Sequence, residues 1–334
     1  MGVKQSHYIP KFILDGFTDT NGLLHCYRVK ERRWYRAKPE ETGTKSYLYR
    51  IDHKQASDPD AVEKAYQEVE SKVAPLIKGI LCTSKLPEEA SSDMDLLLEF
   101  IADSALRVPT SKVINEWIAD EVIQAEMVKL FSEPEAWQKF RAHRKEMGEN
   151  IPDSAQNRFV NLVKSGAVEL KKYEGWIWPY LAKIAPQAAK KELMNFTWRL
   201  FTCSGSETAV AVTSDVPVGL LKMTSIGQSR IHSRSIEPYV VGNWRLATQV
   251  SMAISRTHVL IGNRRETPAL GQVRAEYELA ALNAAHCWYC QTVFSPGEFP
   301  RFLLSNGKIT GVANFASKME QARLNSELSI KMPS

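Results

Sequence analysis

No stretch of this chain is apolar for the eighteen residues that a bilayer-spanning helix needs, and its opening, MGVKQSHYIP, lacks the apolar segment of a secretory signal. Cysteine is scarce. Cys26, Cys82, Cys203, Cys287 and Cys290 are odd in number and scattered, which argues against a disulfide framework and for a reducing compartment. Absent too are a G-x-G-x-x-G fingerprint, a phosphate-binding P-loop, a G-x-S-x-G elbow and an H-E-x-x-H zinc helix. No nucleotide cofactor is therefore expected, and the common hydrolase classes lose their signatures. Nor does charge of one sign dominate: 43 Lys and Arg against 38 Asp and Glu leave +5, which permits nucleic-acid contact without arguing for it. The expectation is a cytoplasmic protein with no membrane partner.

What is present is ordinary globular material, 44% hydrophobic and 24% charged, in 334 residues. Residues 7–17, HYIPKFILDGF, fit a short helix opening at Pro10 and closing at Gly16. LLHCYRV, the turn Lys30-Glu31-Arg32-Arg33 and WYRAK read as a β-hairpin. From Asp58 the period becomes helical, with Val62, Tyr66, Val69, Val73, Leu76, Ile77 and Ile80 on one stripe; helical patterns continue to about residue 196. Then WRLFTC, TAVAVTSD, SIEPYVV, VSMAIS and THVLIG read as strands, 273–291 as a helix, and FPRFLLS with KITGV as a hairpin. This predicts one α+β domain over 1–334: an N-terminal hairpin, a helical part about 58–196 and a strand-rich part about 197–316 forming a mainly antiparallel sheet.

Several polar residues are candidates for chemistry, each with a plainer alternative. Asp215 ends an apolar run beside Pro217, where a strand-end carboxylate meets a metal or substrate; Ser-Asp-x-Pro is equally good turn chemistry. His7 is an acid, base or ligand candidate, or a packed structural residue. Arg107, beside Pro109, clamps a phosphate, or caps its helix and pairs with Asp103. Glu63 and Glu70, seven apart on one helix, join Asp215 on a divalent ion or simply face solvent. Arg32, Arg33 and Trp34 combine charge with a stacking surface for nucleic acid, or protect a hairpin edge. In His286-Cys287-Trp288-Tyr289-Cys290 the lone C-x-x-C lies late in a helix and reads as core.

Taken together in order, some of these segments resemble a known family. His7-Tyr-Ile-Pro10-Lys-Phe-Ile-Leu14-Asp-Gly-Phe17 is similar to the H-x-x-P-x-x-x-L-x-x-F opening of the domain-of-unknown-function 4238 family of mainly bacterial proteins. The hairpin, the DPDAVEKAYQEVESKVAP helix, Leu106-Arg107-Val108-Pro109, Trp198 and Thr213-Ser214-Asp215-Val216-Pro217 follow in the same order. Val216 and Val108 stand where the family pattern has polar residues. The resemblance implies that His7, Arg107 and Asp215 belong to one site, and it suggests a bacterial defence or toxin setting. The function expected is a nuclease or phosphodiesterase using Mg²⁺ or Mn²⁺ on Asp215 with Glu63 or Glu70. The alternative is a non-catalytic module that binds nucleic acid or a protein partner.

Overall fold

The computed structural model describes residues 5–50, 58–109, 128, 131–146, 148–165, 186–206, 208–223, 236–238, 247–265, 275–287, 290–298, 300–303 and 308–330. The chain opens with β1 (Gln5–His7), which runs antiparallel to β4 (Thr44–Ser46). Helix α1 (Lys11–Asp15) follows at once. Pro10 precedes its first turn, where a missing N–H costs nothing, and its carbonyl accepts the amides of Ile13 and Leu14. Gly16 closes α1 because there is no room for a side chain: a Cβ there would lie 2.9 Å from the carbonyl oxygen of Ile254. The amide of Arg256 uses that closeness to donate to the Gly16 carbonyl at 2.9 Å.

The expected hairpin is β2 (Leu24–Arg28) with β3 (Arg33–Ala37), registered Arg28 to Arg33 around a left-handed Arg32 at φ 51°. It does not stand apart from the C-terminal third. β2 continues the ladder to β11 (Thr292–Ser295) and then β6 (Thr213–Ser214), so a four-stranded antiparallel sheet ties both ends of the chain together. The second sheet has five strands in the order β5 (Phe196–Thr202), β10 (His258–Arg264), β9 (Gln249–Ser255), β7 (Val218–Met223) and β8 (Ile236–Pro238). Every neighbouring pair is antiparallel. β9 is central and buried along its whole length, which is why VSMAIS shows no polar alternation. Opposite Trp198, Gly262 leaves the space that the indole fills, since a Cβ would come within 2.9 Å of the ring.

The helical middle packs against this second sheet. α2 (Ala61–Thr83) buries Val62, Tyr66, Val73, Ile77 and Ile80, five of the predicted stripe, against α3 (Ser92–Leu106). Ser91 caps α3 by accepting the Met94 amide at 3.1 Å. Leu97, Leu98, Phe100, Ile101, Ala102, Ala105 and Leu106 are buried, so α3 is an interior helix between α2 and β7. α4 (Pro134–Glu146) and α5 (Gln156–Lys164) close a small aromatic core of Phe131, Trp137, Phe140 and Phe159. α6 (Ala275–Cys287) covers β7 and β9, the hairpin β12 (Arg301–Leu303) and β13 (Ile309–Gly311) lies against it, and α7 (Val312–Ile330) follows.

One expected strand is not there. Of TAVAVTSD only Thr213–Ser214 pairs as a strand, although Val210, Ala211 and Val212 are buried. Asn283 of α6 replaces the neighbouring strand: its Oδ1 accepts the Val212 amide at 3.0 Å and its Nδ2 donates to the carbonyls of Val210 and Arg301. The end of SIEPYVV, at 239–241, lies outside the described residues. Cys287 and Cys290 are buried in an apolar cluster with Phe302, Phe315 and Met319.

Candidate functional site

Three separate pieces of chain converge on one buried polar cluster. The first is β1. His7 pairs with Thr44 across the two-stranded ladder, and the next two amides, Tyr8 and Ile9, both donate to the Gly43 carbonyl. Pro10 then turns the chain into α1, whose Ile13, Leu14 and Phe17 are wholly buried anchors. The H-x-x-P-x-x-x-L-x-x-F pattern thus has a mechanical meaning. Its apolar members fix the segment in the core and leave His7 half-buried at the edge of the cluster.

The second piece is α2, where Glu63 and Glu70 share a face. The third is the last turn of α3, carrying Asp103, Ser104 and Arg107. Arg107 is only 1% exposed, yet its side chain is charged. Its Nη1 donates to Glu70 Oε1 at 2.5 Å, its guanidinium lies 5.7 Å over the Tyr66 ring, and its carbonyl accepts the Tyr49 hydroxyl at 2.6 Å. Burial favours loss of the proton, but Glu70, Tyr49 and Asp103 together outweigh it and keep Arg107 cationic.

The same electrostatic environment acts on the neighbours. Burial lowers the His7 pKa, with Glu70 and Arg107 pulling in opposite directions, so His7 is neutral at pH 7. Burial raises the Glu63 carboxyl, which receives hydrogen bonds from Ser6 and Gln67. Burial also pushes Asp103 up to about 7, even with the charge of Arg107 beside it. The one ion pair among the described side chains of this cluster is Arg107 with Glu70.

Its hydrogen bonding is incomplete. Arg107 Nε and Nη2, His7 Nδ1, Glu63 Oε2, the Tyr66 hydroxyl and Ser104 Oγ are all buried without a hydrogen-bond partner. Each such group costs about 1–3 kcal/mol, so six in one place ask for an explanation beyond folding. The Nε–H and Nη2–H of Arg107 point the same way and form the bidentate edge that accepts two oxygens of a phosphoryl or carboxylate group. With Nη1 held by Glu70, that edge is the part of the guanidinium left over.

Four sequence candidates, His7, Glu63, Glu70 and Arg107, therefore meet. Asp215 does not join them as a ligand. Its Oδ1 accepts the amides of Gln291 and Thr292 at 2.8 and 3.1 Å while its own amide donates to the Thr292 carbonyl, so it fastens the end of β6 to β11. Its charge is felt by the phenol of Tyr8, next to His7. On the hairpin, Arg32 pairs with Glu320, Arg33 with Glu31, and Trp34 packs edge-on to Tyr27 at 5.2 Å between ring centres.

The residues expected to hold Mg²⁺ or Mn²⁺ each have protein partners. Glu70 is committed to a guanidinium, Glu63 accepts from Ser6 and Gln67, and Asp215 is held by two main-chain amides. Among the described residues no group of three or more His, Cys, Asp or Glu is placed to hold a metal ion.

Asp103, Ser104, Tyr49 and Tyr66 escaped the sequence reading as site residues. One signal was available: Asp103-Ser104 interrupts the apolar run Leu97–Leu106, where a solvated pair has no reason to be.

The described architecture is thus an α+β protein with antiparallel sheets and an arginine-centred buried polar cluster where its first strand meets helices α2 and α3. The model of a family described as "Protein of unknown function (DUF4238)" matches residues 5–299, and the chain belongs to that family. No curated protein and no solved structure matches. Among the described residues no helix is long and apolar enough to cross a membrane.

Proposed function

We propose that this protein cleaves phosphodiesters, with nucleic acid as the substrate class. The observation that carries the reading is the unpartnered Nε/Nη2 edge of buried Arg107, whose charge is felt by His7 with its own unpartnered ring nitrogen. The fork binds two non-bridging oxygens of the phosphate and stabilises the charge that grows on them. Neutral His7 takes the proton from the attacking hydroxyl, and Asp103, poised to hold its proton up to about pH 7, returns one to the leaving oxygen. Glu70 keeps the guanidinium in place. No step is routed through a metal ion.

The test is incubation of end-labelled single-stranded RNA and DNA with the full chain from pH 5 to 8, with Mg²⁺ or Mn²⁺ and with a chelator. Cleavage is expected to follow a bell whose acid limb lies below pH 6.5 and whose basic limb lies near 7. His7→Gln is expected to lower the rate by about 10²–10⁴-fold while leaving the circular dichroism spectrum unchanged. No cleavage of either polymer under any condition, or His7→Gln cleaving as well as the native chain, overturns the proposal. On the hairpin, Arg32 and Arg33 each have an exposed carboxylate neighbour, and Trp34 packs against an apolar cluster.

A further inference from the structure

The open end of the four-stranded sheet holds a second constellation that shares no residue with the Arg107 cluster. Register builds it. His25 of β2 stands directly opposite Arg36 of β3 and Ser295 of β11, so side chains of His25 and Arg36 share a face. Beyond Ser295 the chain turns through Pro296 and Gly297 to Glu298. From the other sheet comes Arg256, in the turn between β9 and β10. Its backbone is held three ways: its amide donates to Gly16, and its carbonyl accepts the Ala211 amide and the Cys203 thiol. Together these residues line a cleft of about 360 Å³.

The histidine is oriented. Asp19 Oδ1 accepts the amides of Leu23 and Asn21, which hold its carboxyl below the usual range, and Oδ2 sits 3.3 Å from His25 Nε2. An ionised carboxylate only accepts, so Nε2 carries the hydrogen and Nδ1 is turned the other way, 3.9 Å from Glu298 Oε1. Neither Arg36 nor Arg256 has a carboxylate partner among the described residues, although the protein pairs most of its other described arginines. Two guanidinium groups without a carboxylate partner among the described residues, one fixed imidazole and one half-exposed carboxylate line the same cleft.

We propose that this cleft is a binding site for a small phosphomonoester of a polyol, its phosphoryl group between Arg36 and Arg256 and a hydroxyl on Glu298. Two positive groups suit the dianion better than they suit a diester, which carries one charge. The volume is at the small end for a ligand pocket and admits a sugar phosphate rather than a polymer. His25 Nδ1 faces the same space, where as an acceptor it takes a hydrogen bond from a second hydroxyl of the polyol.

The probes are ribose 5-phosphate, inorganic phosphate and ribose, titrated into the full chain by calorimetry. Ribose 5-phosphate is expected to bind, inorganic phosphate more weakly, and ribose not at all. Arg256→Ala and Arg36→Ala are each expected to weaken ribose 5-phosphate by at least about tenfold, the loss of one charge-assisted bond. Arg36 is exposed on an edge strand, so its removal leaves the fold intact. Glu298→Gln is expected to reduce the advantage of ribose 5-phosphate over inorganic phosphate. A nitrogen-15 spectrum of the imidazoles locates the ligand, since the His25 signals are expected to move on titration. Ribose binding as well as its phosphate, both arginine variants binding as the native chain does, or His25 signals that stay still would each overturn the proposal. None of these readouts depends on phosphodiester cleavage.

Discussion

At the scale of single residues, the cluster is governed by how burial shifts protons. Asp103 illustrates it. Its carboxyl is raised from 3.8 to about 7, so the folded protein holds a proton that the unfolded chain releases across that window. Stability contributed by that proton is lost as pH rises from about 4 to 7. Asp103→Asn copies the protonated form and removes the loss. The melting temperature of Asp103→Asn is therefore expected to gain on the native protein between pH 4 and pH 7 and to level off above it. A difference that stays constant with pH would refute the assignment. Such a residue is hard to see in sequence because it sits on a helix whose pattern is apolar on nearly every side. His7, Arg107, Glu63 and Glu70 were legible for a different reason. Two of them belong to short motifs with proline, and the other two lie seven apart on a strongly periodic helix. Asp215 was legible as a polar group at a strand end, but sequence alone does not tell which backbone amides come to meet it from 76 residues away.

At the scale of elements, what was readable is what is locally determined. The α2 stripe, the β2–β3 hairpin and the β9–β10 pair each carry their own periodicity and turn, and each forms as expected. β1 and β4 were not readable, since three-residue strands have no period to detect and exist only because the ladder between them is closed by tertiary contacts. Residues 209–212 failed in the opposite way. Their apolar run promises a strand, but the hydrogen bonds that a strand would use go to the side chain of Asn283, 71 residues from Val212. Asn283→Ala leaves the Val212 amide and the carbonyls of Val210 and Arg301 without that partner. The variant is expected to lose about 2–4 kcal/mol in urea denaturation, several buried bonds at about 1 kcal/mol or more each. A loss well below 1 kcal/mol would mean that the segment is held by its neighbours and not by Asn283.

Across the whole molecule, two buried titrations oppose each other. His286 of α6 is entirely enclosed, its ring nitrogens near the backbone of Val212 and Ser251 at geometry too loose for hydrogen bonds. Burial lowers its pKa from 6.5 to about 4, so between those values the unfolded chain binds a proton and the folded one does not. Its contribution to stability therefore falls as pH drops through that window, by roughly 3 kcal/mol in all. Asp103 acts with the reverse sign over nearly the same range. Each changes stability by about 1.4 kcal/mol per pH unit where it titrates, one rising with pH and one falling, so the pair largely cancels between pH 4 and 6.5. The native protein is accordingly expected to show nearly the same urea midpoint at pH 4.5, 5.5 and 6.5 as far as these two groups decide it. Removing either partner uncovers the other. Asp103→Asn is expected to grow more stable with rising pH across this range, and His286→Gln to grow less stable. If both variants keep the native pH dependence, the two groups are not enclosed as described, and the acid–base assignment in the Arg107 cluster loses its physical basis with them.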